Sequence, residues 1–386
     1  MIIVVDSKNP FLAEALSSFA EVRQLSTSAI TNASLRDAEA VVVRSETKVG
    51  PALLEGTAVR FVGTATIGTD HVDLPYLAGR GIGFASAPGS NANSVAEYLA
   101  AALLEAAARF GEALIGKTLG VVGVGNVGSR VVRVGQALGM RILRNDPPLA
   151  RTTGNPLFVP LDDLMEADIL TLHVPLTRDG DDPTFHLFDG RRLSRMKRGS
   201  ILINTSRGPV VESDALMSVL GSGHLRAAIL DVWEGEPEVN PELIRQTLIG
   251  TPHIAGYSFD GKVNAARMMY EAIVRHFGID TPWPVPAAMP APRSSTVHLP
   301  PAGTPQEILR ETVARCYSIM EDDERFRALC ALPGEHRRVE FRRQRAAYPI
   351  RREFQATRVV GVAGRVQLGE SLSHLGFVIE ESQEEA

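Results

Sequence analysis

Six residues, Gly123-Val124-Gly125-Asn126-Val127-Gly128, follow the apolar run 119–122 and open a stretch with apolar side chains at Val127, Val131, Val134 and Leu138. A GxGxxG between a strand and a helix suits a dinucleotide. The glycines permit a tight turn and close approach of the pyrophosphate, and the helix N-terminus favours the anion. The next segment, MRILRND, ends at Asp146, where a carboxylate can accept the ribose hydroxyls and repel a 2′-phosphate, so NAD is expected over NADP. Arg144 and Arg151 are the nearby residues that could reverse that preference. Three further segments carry groups for proton and anion chemistry: NTSRGPVV with Arg207, DVWEGEP with Asp231 and Glu236, and TPHIAGY with His253. Histidine can take a hydroxyl proton near neutral pH, and a carboxylate beside it orients the ring and stabilises the imidazolium. Arginine offers a planar fork to a carboxylate. Such a set could oxidise an alcohol next to a carboxylate.

These groups are far apart in sequence, so a sheet has to gather them. Val- and Ile-rich runs without polar alternation suit parallel strands buried on both faces. They occur at 2–6, 40–45, 61–68 and 82–88, with a helix over 11–19. Asn93 or Ser94 could cap a long Ala/Leu-rich helix ending near Phe110. The alternation then restarts and continues to about Thr251, with strands ending near Asp146, His173, Asn204, Asp231 and His253. Ligands of open parallel sheets bind outside the carboxyl ends of strands, which places Arg207, Glu236 and His253 around one crevice. Prolines at 282, 284, 286, 290, 292, 300, 301 and 305 interrupt regular structure and predict a linker or wrapped arm. Beyond lie an Arg-rich helical stretch, 305–348, and two strands in TRVVGVAG and LGFVIE. The expected fold is α/β, with two Rossmann-like or flavodoxin-like parallel-sheet lobes and a C-terminal α+β domain. Residues 1–90 and 252–285 would form a substrate lobe, 91–251 the nucleotide domain and 286–386 the C-terminal domain.

At 386 residues the chain exceeds what one core usually organises. Its 44% hydrophobic and 22% charged residues are ordinary for a soluble globular protein, and a net charge of -5 gives no bias toward nucleic acid or an anionic membrane. The apolar stretch 95–110 is interrupted by Glu97, Glu105 and Arg109, which excludes a membrane span there. With neither a basic leader nor a long apolar core at the start, a cytoplasmic location is expected. Cys316 and Cys330 are the only cysteines. Without a CxxC pair or a His/Cys cluster they read as reduced and structural, and no metal site is expected.

The segments around Arg207, Glu236 and His253 resemble the signature of the D-isomer-specific 2-hydroxyacid dehydrogenases. That resemblance implies Arg207, Glu236 and His253 as the catalytic set, NAD as cofactor, and Asp231 on the nicotinamide carboxamide side. It implies Gly123, Gly125, Asn126, Val127, Gly128, Asp146, Val174 and Gly256 as further cofactor contacts. VRSETKV, VGTATIGTDHVD, APGSNA and HIAGYSFDGK, with DDERFR and YPIRREF further on, extend the likeness over nearly the whole chain. They narrow it to a branch acting on a phosphorylated hydroxy acid. By that likeness Ser45, Thr66 and Tyr257 contact substrate, and the C-terminal domain makes a homodimer. Val174 and Ser90 stand where the branch commonly has Thr and Cys, so a hydroxyl contact is lost at 174. Arg44 and Lys48, flanking Ser45, are candidates for the phosphate, whereas His71 reads as structural.

Two rival functions share the fold: 3-phosphoglycerate dehydrogenase and an NAD-sensing corepressor. The proline-rich arm and Arg-rich helices, in place of a small regulatory βαββαβ domain, weigh against the first. The chain shows no disordered tail or peptide cleft for the second. In the C-terminal region Ile308, Val313, Tyr317 and Met320 recur at near-helical spacing, and Arg337, Arg338, Arg342, Arg343 and Arg345 load a neighbouring segment with charge. The apolar stripe is expected to be covered in a subunit interface, so that truncation near Met289 leaves the nucleotide site formed.

Overall fold

Where short, mostly apolar runs lack polar alternation, the chain forms central strands of parallel sheets. AVVV, ILTL and AAIL are each buried at every position. The computed structural model describes residues 1–286 and 288–380; of the expected C-terminal domain, 287 and 381–386 lie outside the described residues. By compactness the chain divides into two units, Met1–Asn91 with Ser258–Pro290, and Ala92–Tyr257 with Ala291–Ala386.

The first unit begins β1 (Ile2–Asp6), α1 (Leu12–Leu16), β2 (Glu21–Leu25), β3 (Ala40–Val43), α2 (Pro51–Leu54), β4 (Phe61–Thr64), α3 (Leu74–Gly79) and β5 (Gly83–Ala85). The strands pair in the order β2-β1-β3-β4-β5, all parallel, which is the flavodoxin-like arrangement. The sequence reading missed β2, whose EVRQL has no fully buried residue and so lacks the apolar run that marks its neighbours.

The second unit opens with α4 (Ala92–Phe110), β6 (Thr118–Val122), α5 (Asn126–Ala137), β7 (Arg141–Asn145), α6 (Pro147–Thr153) and β8 (Ile169–Leu172). It continues through α7 (Gly190–Arg195), β9 (Ile201–Asn204), α8 (Ser213–Gly221), β10 (Ala227–Leu230), α9 (Pro241–Gln246) and β11 (Ile249–Gly250). These six strands lie in the order β11-β10-β9-β8-β6-β7. The order reverses between β6 and β8, and a doubly wound sheet places its ligand crevice at that switch point. The long helix α4 starts before either expected cap.

The chain then returns to the first unit as α10 (Phe259–Phe277), whose Met269, Tyr270 and Ile273 are buried in the same apolar cluster as β1, β3 and β4. The second unit resumes with β12 (Thr296–His298), α11 (Pro305–Cys316), α12 (Ile319–Arg327), α13 (Gly334–Ala346), β13 (Arg358–Val360), α14 (Val366–Leu375) and β14 (Val378–Glu380). Strands β12, β13 and β14 form a small parallel sheet. Thus the proline-rich stretch holds a strand, within the seven residues 293–299 that are free of proline.

Compactness joins 291–386 to the nucleotide fold, where the sequence reading expects a third domain, and the physical reason is a shared core. Ile308, Leu309, Val313, Phe354, Leu368 and Leu372 belong to one apolar cluster with the buried faces of α4 and α5. The stripe Ile308, Val313 and Tyr317 is therefore covered by the chain's own helices. Met320 is 42% exposed, because α11 ends at Cys316 and the helical spacing does not run through.

Candidate active site

The turn after β6 is built for close approach. Gly123 has φ 82, and a Cβ there would lie 2.6 Å from the His173 carbonyl oxygen at the end of β8. At Gly128 a Cβ would lie 1.9 Å from the Gly123 carbonyl oxygen, so a side chain at either position would force this turn apart. Helix α5 begins at Asn126, leaving its first peptide N–H groups at the turn. Asp146 Oδ2 accepts from Val124 N at 2.8 Å, and its Oδ1 accepts from Leu149 N at 3.0 Å. The carboxylate is thus both the cap of α6 and the tether of the glycine turn, and each oxygen keeps a lone pair for a ribose hydroxyl. Val174 lies beside the turn, and a Cβ at Gly123 would meet its Cγ1 at 2.9 Å. A tight glycine turn, a helix N-terminus and a carboxylate at the next strand end fit NAD.

Strands β9, β10 and β11 are neighbouring and parallel, so the segments following them leave one edge of the sheet. Arg207 follows β9; its Nη1 donates to Ser206 O at 2.8 Å, and its carbonyl accepts from Asn204 Nδ2 at 3.0 Å. Glu236 follows β10 and His253 follows β11, with Nδ1 of His253 2.5 Å from Oε1 of Glu236. Both side chains are about three-quarters buried, at 28% and 25% exposure. Burial alone would push the Glu236 carboxyl up, but the charge and hydrogen bond of His253, the charge of Arg345 and the Trp233 N–H together hold it below the ordinary carboxylate value.

His253 itself has φ 60, a left-handed conformation uncommon for a residue with a side chain. Asp231 keeps it there. The backbone N–H of His253 donates to Asp231 O at 2.7 Å, and the next two N–H groups, of Ile254 and Ala255, donate to the Asp231 carboxylate at 2.7 and 2.9 Å. Thr251 Oγ1 donates to the same carboxylate at 2.6 Å. At 1% exposure, Asp231 thus has a role the sequence reading does not include: it anchors the loop that presents His253.

Sequence reasoning also missed Arg345 and Arg351. Arg345 Nη2 donates to the Tyr257 hydroxyl at 3.2 Å, with the guanidinium 5.7 Å from the ring centre. Arg351 Nη2 donates to the carbonyls of Ser94 and Ala255, both at 2.8 Å. These arginines tie the C-terminal region to the loop 251–257, and the aromatic-basic pattern of YPIRREF is a sequence signal for Arg351 alone. In the first unit, Arg44 is half-buried after β3, while Ser45 and Lys48 on the same loop are exposed. Thr66 lies just past β4, its hydroxyl 2.8 Å from that of Thr64, which in turn lies 2.9 Å from His71 Nε2. Among the described residues no group of His, Cys, Asp and Glu could hold a metal.

A glycine turn at the switch point of a parallel sheet, with an Arg, a Glu and a His following successive strands, defines a nicotinamide-dependent dehydrogenase of the D-2-hydroxyacid class. Residues 91–255 match the D-isomer specific 2-hydroxyacid dehydrogenase NAD binding domain, and 288–376 match a domain of unknown function. An erythronate-4-phosphate dehydrogenase from Salinibacter ruber is 46% identical, covering 94% of each chain. Another from Escherichia coli is 42% identical over 93% of this chain and 94% of its own. The D-lactate dehydrogenase of Aquifex aeolicus, solved with NAD and lactic acid, superposes with a TM-score of 0.59 at 27% identity, covering 72% of this chain and 96% of that one. The chain belongs to the erythronate-4-phosphate dehydrogenase family.

Proposed function

We propose that the chain oxidises 4-phospho-D-erythronate at C2 with NAD, giving 3-hydroxy-2-oxo-4-phosphooxybutanoate, a step in pyridoxal 5′-phosphate (vitamin B6) biosynthesis. The Glu236–His253 pair, 2.5 Å apart on neighbouring strand ends of the NAD-binding sheet, carries this reading. His253 Nδ1 donates to Glu236, which leaves the Nε2 lone pair to take the C2 hydroxyl proton. The Glu236 anion then stabilises the imidazolium. Arg207 holds the substrate carboxylate and polarises the C2 oxygen. NAD supplies the hydride acceptor when bound, held by the turn 123–128, Asp146, Val174 and Gly256. Substrate contacts from Ser45, Thr66 and Tyr257 and a homodimer, which rest on the family likeness, complete the proposal together with the cytoplasmic location expected from the sequence. NADH formation is the test: the purified chain should turn over 4-phosphoerythronate far faster than 3-phosphoglycerate. A preference for the shorter acid, or NAD binding with neither acid oxidised, would defeat the assignment.

Asp146 predicts cofactor choice. Because its carboxylate is fixed by two backbone N–H groups, it cannot swing away from a 2′-phosphate, so kcat/KM with NAD should exceed that with NADP by about 10²-fold or more, an estimate from close like-charge repulsion. Arg151, which could otherwise take the phosphate, is paired with Asp182. Equal use of both cofactors would remove the role given to Asp146.

A further inference from the structure

One end of the first unit's sheet carries three cations, Lys8, Arg44 and Lys262, beside the buried carboxylates of Asp6 and Asp260. Strands β1 and β3 are neighbouring and parallel, so the turn carrying Lys8 and the loop carrying Arg44 leave the sheet on the same side. The start of α10 belongs to the same corner, since Phe11 meets Phe259 edge-on with ring centres 5.9 Å apart. Lys262 sits in the first turn of that helix, where Ser258 caps the Gly261 N–H at 2.8 Å and the helix end is itself positive. Lys262 is half-buried. Withdrawal from water pushes its pKa down, and the charges of Arg44 and Lys8 act on it in the same direction.

Like charges from three separate elements act on one another here, and an anion relieves that repulsion. Two neutral groups in the same loops are buried without a hydrogen-bond partner among the described residues. Asn9, 2% exposed, has an amide nitrogen with no hydrogen-bond partner among the described residues, and so does the hydroxyl of Thr47, which is 7% exposed. Buried polar atoms left in this state are rare. Lys8 Nζ does meet Glu46 at 2.6 Å, but both side chains are about half exposed, at 43% and 55%, and an exposed pair of this kind is readily exchanged for a stronger anion. The sequence spacing singled out Lys48 beside Arg44, whereas the cations acting on Lys262 are Arg44 and Lys8.

We propose that Lys8, Arg44 and Lys262, with the N-terminus of α10 and the Asn9 amide, form a subsite for a phosphate dianion. The inference rests on the proposed function, in which that dianion is the phosphate of the hydroxy acid. Lys262→Met and Lys8→Gln would be compared with the unaltered protein, using 4-phosphoerythronate and erythronate as substrates. The kcat/KM ratio favouring the phosphorylated acid should fall about 10- to 100-fold in Lys262→Met, the range expected for one charge-assisted contact, and several-fold in Lys8→Gln. Calorimetric titration of the NAD-loaded protein with inorganic phosphate should show the same ranking. Because Lys8 is exposed, its variant reads the subsite even if Lys262→Met folds poorly. Equal losses on both substrates, or phosphate binding unchanged in both variants, would overturn the subsite. If the unaltered protein oxidised neither acid yet bound phosphate through Lys262, the subsite would stand and the proposed function would fall.

Discussion

Replacing His253 with alanine, or Glu236 with glutamine, is expected to lower kcat by about 10² to 10⁴, the usual contribution of a positioned general base, while NAD affinity stays near that of the unaltered protein. The glycine turn and Asp146 hold the nucleotide through groups that neither substitution touches. The double variant is the more telling measurement. Glu236 acts through the ring it orients, at 2.5 Å from Nδ1, so once the ring is gone its charge has nothing left to stabilise. His253→Ala with Glu236→Gln should therefore be little worse than His253→Ala alone. Losses that simply multiplied would show two independent contributions and would separate Glu236 from the base.

The geometry explains why this pair was legible in sequence while its supports were not. Strand ends can be read from apolar runs, and the topology of a parallel sheet then brings Arg207, Glu236 and His253 to one edge without further information. The turn 123–128 is legible for a similar reason, because its glycines answer a local steric demand. Asp231 is different. The family likeness gives it a place on the nicotinamide side, and the folded loop adds what no sequence pattern marks, its carboxylate oxygens accepting from Thr251, Ile254 and Ala255. The Arg-rich run around α13 is a second case. Arg342 and Arg343 are exposed, as a solvated face requires, yet Arg345 turns to the Tyr257 hydroxyl, and Arg337 donates to the carbonyls of Leu329, Leu332 and Val239. Charge in a sequence does not say whether a guanidinium faces water or a backbone carbonyl, because that is settled by packing between segments far apart in the chain. Strand β12 escaped notice for the opposite reason: the prolines around it describe the flanks, and a three-residue strand carries too little pattern to register against them.

Removing residues 291–386 is expected to abolish NAD binding and leave an insoluble or unfolded second unit, where the sequence alone suggested a nucleotide site able to form without them. Helix α11 packs on α4 and α14 on α5, and the removed segment contributes Ile308, Leu309, Val313, Phe354, Leu368 and Leu372, each no more than 6% exposed, to the core those helices share. Burial of each such side chain stabilises by about 1.5 to 3 kcal/mol, so the six together rival the roughly 5 to 15 kcal/mol by which a domain is stable at all. Polar groups lose partners as well. The Ser94 hydroxyl donates to Glu353 at 2.9 Å, Glu97 accepts from Phe354 N at 2.7 Å, and Gly250 N at the end of β11 donates to Asp323 at 2.7 Å. Gly250 lies three residues before His253, and Arg351 holds the carbonyl of Ala255 just after it, so the loop bearing the base is secured at both ends by the segment to be removed. Light scattering and thermal unfolding of the truncated chain, alongside titration with NAD, would measure the outcome. A soluble product that unfolds cooperatively and binds NAD as the intact chain does would show that the C-terminal region is dispensable to this core, and would return it to the single role of joining subunits.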